Sequence, residues 1–297
     1  MNKWFAIITL FFSPMAADAI EVFACEPEWA ALVQEIAGDH ANITIATTAA
    51  QDPHRLQAKP SLIAATRNAD LLVCTGADLE IGWLPLLLRR AGNADIQSGQ
   101  SGHFLAAEYV RKLEIPKIID RSQGDIHPQG NPHIHLNPRN VSRIAESLAE
   151  RLVTLDPAHS SDYTGRLKGF QDRWEDSIDG WELRGERLEG LRLASHHRSF
   201  SYLANWLDLE IVATLEPKPG IPPSAAHLAR LLEKLSPNPP AAVIRTPYAN
   251  EKSSAWLSER LSVPSLLLPY TVNRSEGPID LFELMDETLD KLEELIR

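Results

Sequence analysis

The chain has 297 residues, with 29 Lys and Arg against 40 Asp and Glu, a formal charge of −11. Hydrophobic residues at 44% and charged residues at 23% are globular proportions, and the length suggests two domains. The acidic balance argues against a nucleic-acid partner, which needs a basic stripe, and two cysteines are too few for a thiolate metal cluster or a disulfide scaffold.

The first segment reads as an export signal. Lys3 supplies a positive start, residues 4–12 a short apolar run, and Ala17-Asp18-Ala19 a small-x-small site that places cleavage after Ala19. The run is too short to span a bilayer as a helix, and nothing later approaches 18 apolar residues. The mature chain is therefore expected to be exported and soluble.

Ile20–Ala24 reads as a strand, 28–37 as an amphipathic helix closed by Gly38, and 42–47 as a second strand. Residues 60–69 suit a helix, 70–74 a buried strand, and 115–119 a fourth strand. Strands alternating with helices imply parallel βαβ units. Asn137-Pro138 opens a helix as cap and first turn, with Val141, Ile144, Leu148, Leu152 and Leu155 on one face. Tyr163, Leu167, Phe170, Trp174, Ile178 and Trp181 then recur every three or four residues. That predicts a connector helix of roughly 25 residues, on the order of 37 Å. Gly165 and Gly169 interrupt it at about 1 kcal/mol each.

The second half repeats the scheme. Strands are expected at 191–195, Glu210–Thr214, 241–246 and 265–268, a helix at 224–235 and a closing helix at 281–296. The resulting division is a signal at 1–19, an N-terminal α/β domain at 20–155, a connector at 156–187 and a C-terminal α/β domain at 188–297. Ligands of such sheets bind beyond the carboxyl ends of the strands.

Ten histidines stand against two cysteines, and three positions fall beyond strand ends. His54 lies in Asp52-Pro53-His54 after the second strand, and His133 in Asn131-Pro132-His133-Ile134-His135 after the fourth. His196 and His197 follow the first strand of the second half. Folding could bring them together, and imidazoles without thiolates suit Zn²⁺ as well as Cu, Ni or Co. Spacing alone is weak evidence, since no local metal motif is present and a lone His is more often a surface or hydrogen-bonded residue.

The chain resembles the solute-binding proteins of metal ABC transporters, the ZnuA-like group also called cluster A-I or cluster 9. Asp52-Pro53-His54 with Pro60-Ser61 is similar to that family's DPHxxxxxPS segment. Asp70-Leu71-Leu72-Val73, Gly76, Leu79-Glu80 and Trp83-Leu84 resemble ADLVxxxGxxLExWL. Asn131 to Pro138 resembles DPHxWxxP, and His197 with Phe200 and Tyr202 resembles HxxFxY, which selects His197 over His196. The resemblance implies two Rossmann-like (β/α) domains joined by a long helix, with a metal held between them by His54, His133 and His197.

Two departures qualify the ligand set. Leu268 stands where the family carries an aspartate in a segment like LDPL, and Thr246-Pro247-Tyr248 replaces a segment like EPQ. Water, His135, Glu276 or Asp280 are open as the fourth ligand. The long His-rich loop of zinc members is reduced to His127, His133 and His135, and His127 reads as a solvated loop residue. Manganese-type relatives carry carboxylates where this chain has His197 and Leu268, so zinc is favoured over manganese.

The resemblance implies a periplasmic protein that captures Zn²⁺ and delivers it to an inner-membrane ABC permease, as a monomer and not as an enzyme. Two other readings stay open. One is a periplasmic zinc buffer or metallochaperone. The other is a hydrolytic or hydratase site of three His and a zinc-bound water, for which no general base is evident. Cys25 and Cys74 end the first and third strands, so both a disulfide and a pair of buried thiols remain open. The proline-dense loop 216–223 reads as structural, with Ser224 as a helix cap.

Overall fold

The computed structural model describes residues 19–117, 127–277 and 279–297. The expected export signal therefore lies outside the described residues except for Ala19. Among the described residues, eight strands form two parallel four-stranded sheets. The first contains β1 (Ile20–Ala24), β2 (Ala41–Ile45), β3 (Leu71–Cys74) and β4 (His103–Leu105), in the order β2-β1-β3-β4. The second contains β5 (Arg192–Ser195), β6 (Glu210–Thr214), β7 (Ala242–Arg245) and β8 (Ser265–Leu267), in the matching order β6-β5-β7-β8.

The strand chemistry fits this layout. β3 reads LLVC and is buried throughout, as expected of an interior parallel strand covered on both faces. β2 is an edge strand, and Ile45 at its end is exposed. The expected fourth strand at 115–119 is not one: 115–117 are irregular, and 118–119 lie outside the described residues. The strand in that place is β4, three residues long, paired to β3 at Leu72↔His103 and Cys74↔Leu105.

Of the helices, α1 (Pro27–Ala37) starts on Pro27 and ends at Gly38, whose φ of 58° suits glycine. α2 (Pro60–Asn68) and α3 (Leu84–Ala91) flank the outer face of the first sheet. In α4 (Pro138–Leu155), the Asn137 side chain accepts from Arg139 N, the cap expected from the sequence. α5 (Ser160–Gly185) runs unbroken for 26 residues through Gly165 and Gly169. α6 (Ser201–Trp206), α7 (Ala225–Leu235, capped by Ser224), α8 (Glu251–Leu261) and α9 (Leu281–Glu293) complete the second half.

The two sheets share one core. Ile20, Val22 and Leu71 from the first and Leu193, Ala242 and Ile244 from the second belong to a single apolar cluster. Trp174 and Trp181 of α5 and Met285 and Leu289 of α9 lie in the same cluster. Trp174 donates from Nε1 to the Pro138 carbonyl at 2.9 Å, and Arg184 bonds Asp286, Asp290 and Glu293 of α9. Such continuous packing makes the connector rigid, because any opening would expose its apolar face. The carboxyl ends of both sheets consequently meet in a fixed arrangement.

Candidate metal centre

Each of the three expected histidines arrives on a different loop. His54 follows β2 in a tight turn: Asp52 Oδ1 accepts from His54 N at 3.0 Å and lies 2.8 Å from its Nδ1. Trp83 Nε1 donates to the Pro53 carbonyl at 2.9 Å and anchors that turn. A Cβ at Gly82 would stand 3.0 Å from the His54 carbonyl oxygen, so a side chain there would press on the same turn.

His133 sits at the end of the long segment after β4. Its backbone N–H donates to Asn131 Oδ1 at 2.9 Å, and its Nδ1 lies 2.7 Å from the Tyr270 hydroxyl. Asn131 Nδ2 also donates to the Arg198 carbonyl at 2.9 Å, which ties the two halves together beside the site. His197 follows β5, with Nδ1 2.7 Å from Glu216 Oε2. Glu216 follows β6, the strand paired to β5, so the sheet brings together residues 19 apart in sequence. Gly220 N holds the same carboxylate oxygen at 2.8 Å.

The three rings form a nearly equilateral triangle, with centroids 5.6, 5.6 and 5.4 Å apart. One ligand nitrogen from each lies within 4.8 Å of the others. Asp52 and Glu216 accept at Nδ1, which places the His54 and His197 protons there and makes Nε2 the lone-pair nitrogen of each ring. His133 Nε2 is buried and, among the described residues, has no hydrogen-bond partner. Leaving such a group unmatched costs about 1–3 kcal/mol, and a cation at the centre of the triangle would remove that penalty.

The electrostatics agree. Burial pushes the His133 pKa well down, and the neighbouring His197 and His54 push it further, so its ring stays neutral. Burial alone would raise Asp52 and Glu216. The hydrogen bonds and charge of His54 and His197 outweigh it and hold both carboxyls below their usual values. Two anions thus stand directly behind two imidazoles, the outer layer that orients metal-binding histidines.

The remaining candidates separate cleanly. His196 turns away, with Nδ1 3.1 Å from Ser254 Oγ. His135 lies behind His133: Nε2 is 2.7 Å from the Tyr270 carbonyl, and Nδ1, which has no hydrogen bond among the described residues, lies 3.3 Å from Glu28 Oε1. Glu276 is exposed in a turn, and Asp280 caps α9 by accepting from Glu283 N. Among the described residues, none of these three belongs to the group of donor atoms that converges with His54, His133 and His197. Leu268 is fully buried in the core, and Tyr270, two residues on, reaches the site instead.

His127 corrects the sequence expectation. It is not a solvated loop residue: its Nε2 lies 3.2 Å from His54 Nε2, and it shares a cleft with His133, His197 and Arg198. Burial and the nearby His54 and His197 push its pKa down to about 3. Asp52 was read only as part of a motif, and nothing local to Glu216 marks it. Cys25 and Cys74 are joined in a disulfide across β1 and β3, so neither offers a thiolate.

Comparisons with known proteins agree with this architecture. The family model described as "Zinc-uptake complex component A periplasmic" matches residues 22–295. The zinc-binding lipoprotein AdcA of Streptococcus pneumoniae is 27% identical over 237 residues, which cover 77% of this chain and 44% of AdcA. This chain thus spans less than half the length of that relative. The manganese ABC transporter substrate-binding lipoprotein PsaA of Streptococcus pneumoniae is 21% identical over 95% of this chain and 90% of its own. Among solved structures, a crystal structure of ZnuA has a TM-score of 0.78 at 23% identity, covering 94% of this chain and 99% of that one. A cadmium-bound periplasmic metal-binding protein of Candidatus Liberibacter asiaticus has a TM-score of 0.74 at 17% identity, covering 92% and 98%. At those identities the structures establish the fold. The two curated relatives are named as a zinc-binding lipoprotein and a manganese ABC transporter substrate-binding lipoprotein.

Proposed function

The chain belongs to the zinc-uptake complex component A family of metal ABC transporter substrate-binding proteins, and on that premise we propose that it captures Zn²⁺ in the periplasm and hands it to an inner-membrane ABC permease. The ion is held by Nε2 of His54, His133 and His197. The observation that carries this reading is the convergence of three imidazoles whose Nδ1 atoms are already engaged by Asp52, Tyr270 and Glu216. The export signal at 1–19 and the boundaries 20–155, 156–187 and 188–297 belong to the same reading.

Metal choice follows from the donor set. Manganese prefers hard oxygen ligands, and among the described residues no carboxylate belongs to the cluster of converging donor atoms around the triangle. Zinc accepts imidazole at about 2.0–2.1 Å in a tetrahedral shell. The shared core across α5 and α9 favours a preformed cleft that releases its ion to a partner over one that closes by a large hinge motion.

The test is to purify the full chain without added metal, determine the metal bound, and titrate Zn²⁺ and Mn²⁺ against a competing chelator. The reading expects zinc to bind far more tightly than manganese. Equal affinities, or preference for manganese, would contradict it.

A further inference from the structure

We propose that His127 supplies a fourth imidazole to the ion held by His54, His133 and His197, so that a four-histidine shell replaces the carboxylate displaced by Leu268. This rests on the three-histidine site above and names the ligand that completes it.

The first ground is distance. In a tetrahedral zinc shell with Zn–N near 2.0–2.1 Å, two ligand nitrogens stand about 3.3 Å apart. The Nε2 atoms of His54 and His127 are 3.2 Å apart, the length of one edge of such a tetrahedron. His127 also lines the same cleft as His133 and His197.

The second ground is the other face of the ring. His127 Nδ1 is buried without a hydrogen bond of normal geometry among the described residues, while the backbone of Ala77 and Asp78 faces the ring. Ala77 and Asp78 are both left-handed, with φ of 50° and 65°, a conformation that costs a non-glycine residue roughly 1–2 kcal/mol. In the metal-free protein, His54 Nε2 carries a lone pair, so His127 Nε2 donates to it.

Charge is balanced one bond further out. Four neutral imidazoles leave the ion at +2, and Asp52 and Glu216 behind His54 and His197 supply two negative charges. Leu268 is fully buried in the apolar core, which leaves no carboxylate at that strand end.

The experiment uses the full chain as wild type, His127→Ala, His127→Gln and His197→Ala. Zinc affinity is read by chelator competition, coordination by the visible spectrum of the Co²⁺-loaded protein, and imidazole number by X-ray absorption of the zinc-loaded wild type. We expect both His127 variants to lose at least the tenfold to hundredfold that removal of an outer-layer partner costs. Their Co²⁺ bands should change, and wild type should show four imidazoles. Wild-type affinity and unchanged Co²⁺ bands in the His127 variants, with three imidazoles in wild type and weakened binding in His197→Ala, would overturn the role of His127 and leave the three-histidine site standing. Unchanged affinity in His197→Ala as well would remove both. The X-ray absorption count needs no variant, so a misfolded substitution does not obscure the result.

Discussion

Glu216 Oε2 lies 2.7 Å from His197 Nδ1, and this one bond fixes which nitrogen of His197 faces the cleft. The carboxylate holds the proton on Nδ1, orients the ring and makes Nε2 a better donor. Glu216→Ala should weaken zinc binding about tenfold to hundredfold while the fold persists. Glu216→Gln, which retains an acceptor but not the charge, should recover part of that loss. Chelator competition checks both, and unchanged affinity in Glu216→Ala would remove this role.

Trp174 is fully buried where α5 meets α4, and its indole donates to the Pro138 carbonyl. Trp174→Ala should cost about 3–5 kcal/mol of stability, because cavity and lost hydrogen bond add. Urea unfolding of the metal-free protein measures it. A loss under 1 kcal/mol would mean that the connector is not part of the shared core.

The Cys25–Cys74 disulfide closes a segment with a sequence separation of 49. Chain-entropy arguments place its contribution at about 4 kcal/mol. Unfolding of the Cys25→Ser, Cys74→Ser double variant against wild type tests this. Because Phe23, Leu72 and Trp83 surround the bridge beneath the His54 turn, zinc binding should also weaken in that variant.

Glu26 and Glu80 are buried side by side beneath the same turn. Burial and mutual repulsion push Glu26 well up, and burial raises Glu80 from 4.5 to about 7. A carboxyl raised on folding stabilises fully below its unfolded pKa and loses that contribution as pH rises through the folded value. Metal-free Glu80→Gln should therefore lack a decline in stability that wild type shows between about pH 4.5 and 7. Parallel pH profiles for the two proteins would contradict the raised pKa of Glu80.

Much of this was legible in the sequence where local chemistry decides. The cap at Asn137, the stripe from Tyr163 to Trp181 and the strand LLVC carry their own periodicity or burial pattern. β4 was missed because three residues show no period, and only pairing with β3 makes them a strand. α3 was missed because a short apolar run, Leu86 to Leu88, fits helix and buried strand alike. At the site, His54, His133 and His197 were found through family-like motifs. His127 and Glu216 were not, because each meets its partner only through tertiary structure, 73 and 19 residues away.

The most direct test is a crystal of the zinc-loaded chain, with zinc located by its anomalous signal. The account predicts a fully occupied ion about 2.0–2.1 Å from Nε2 of His54, His133 and His197. An ion lying elsewhere, or bound through carboxylates without these three nitrogens, would contradict it.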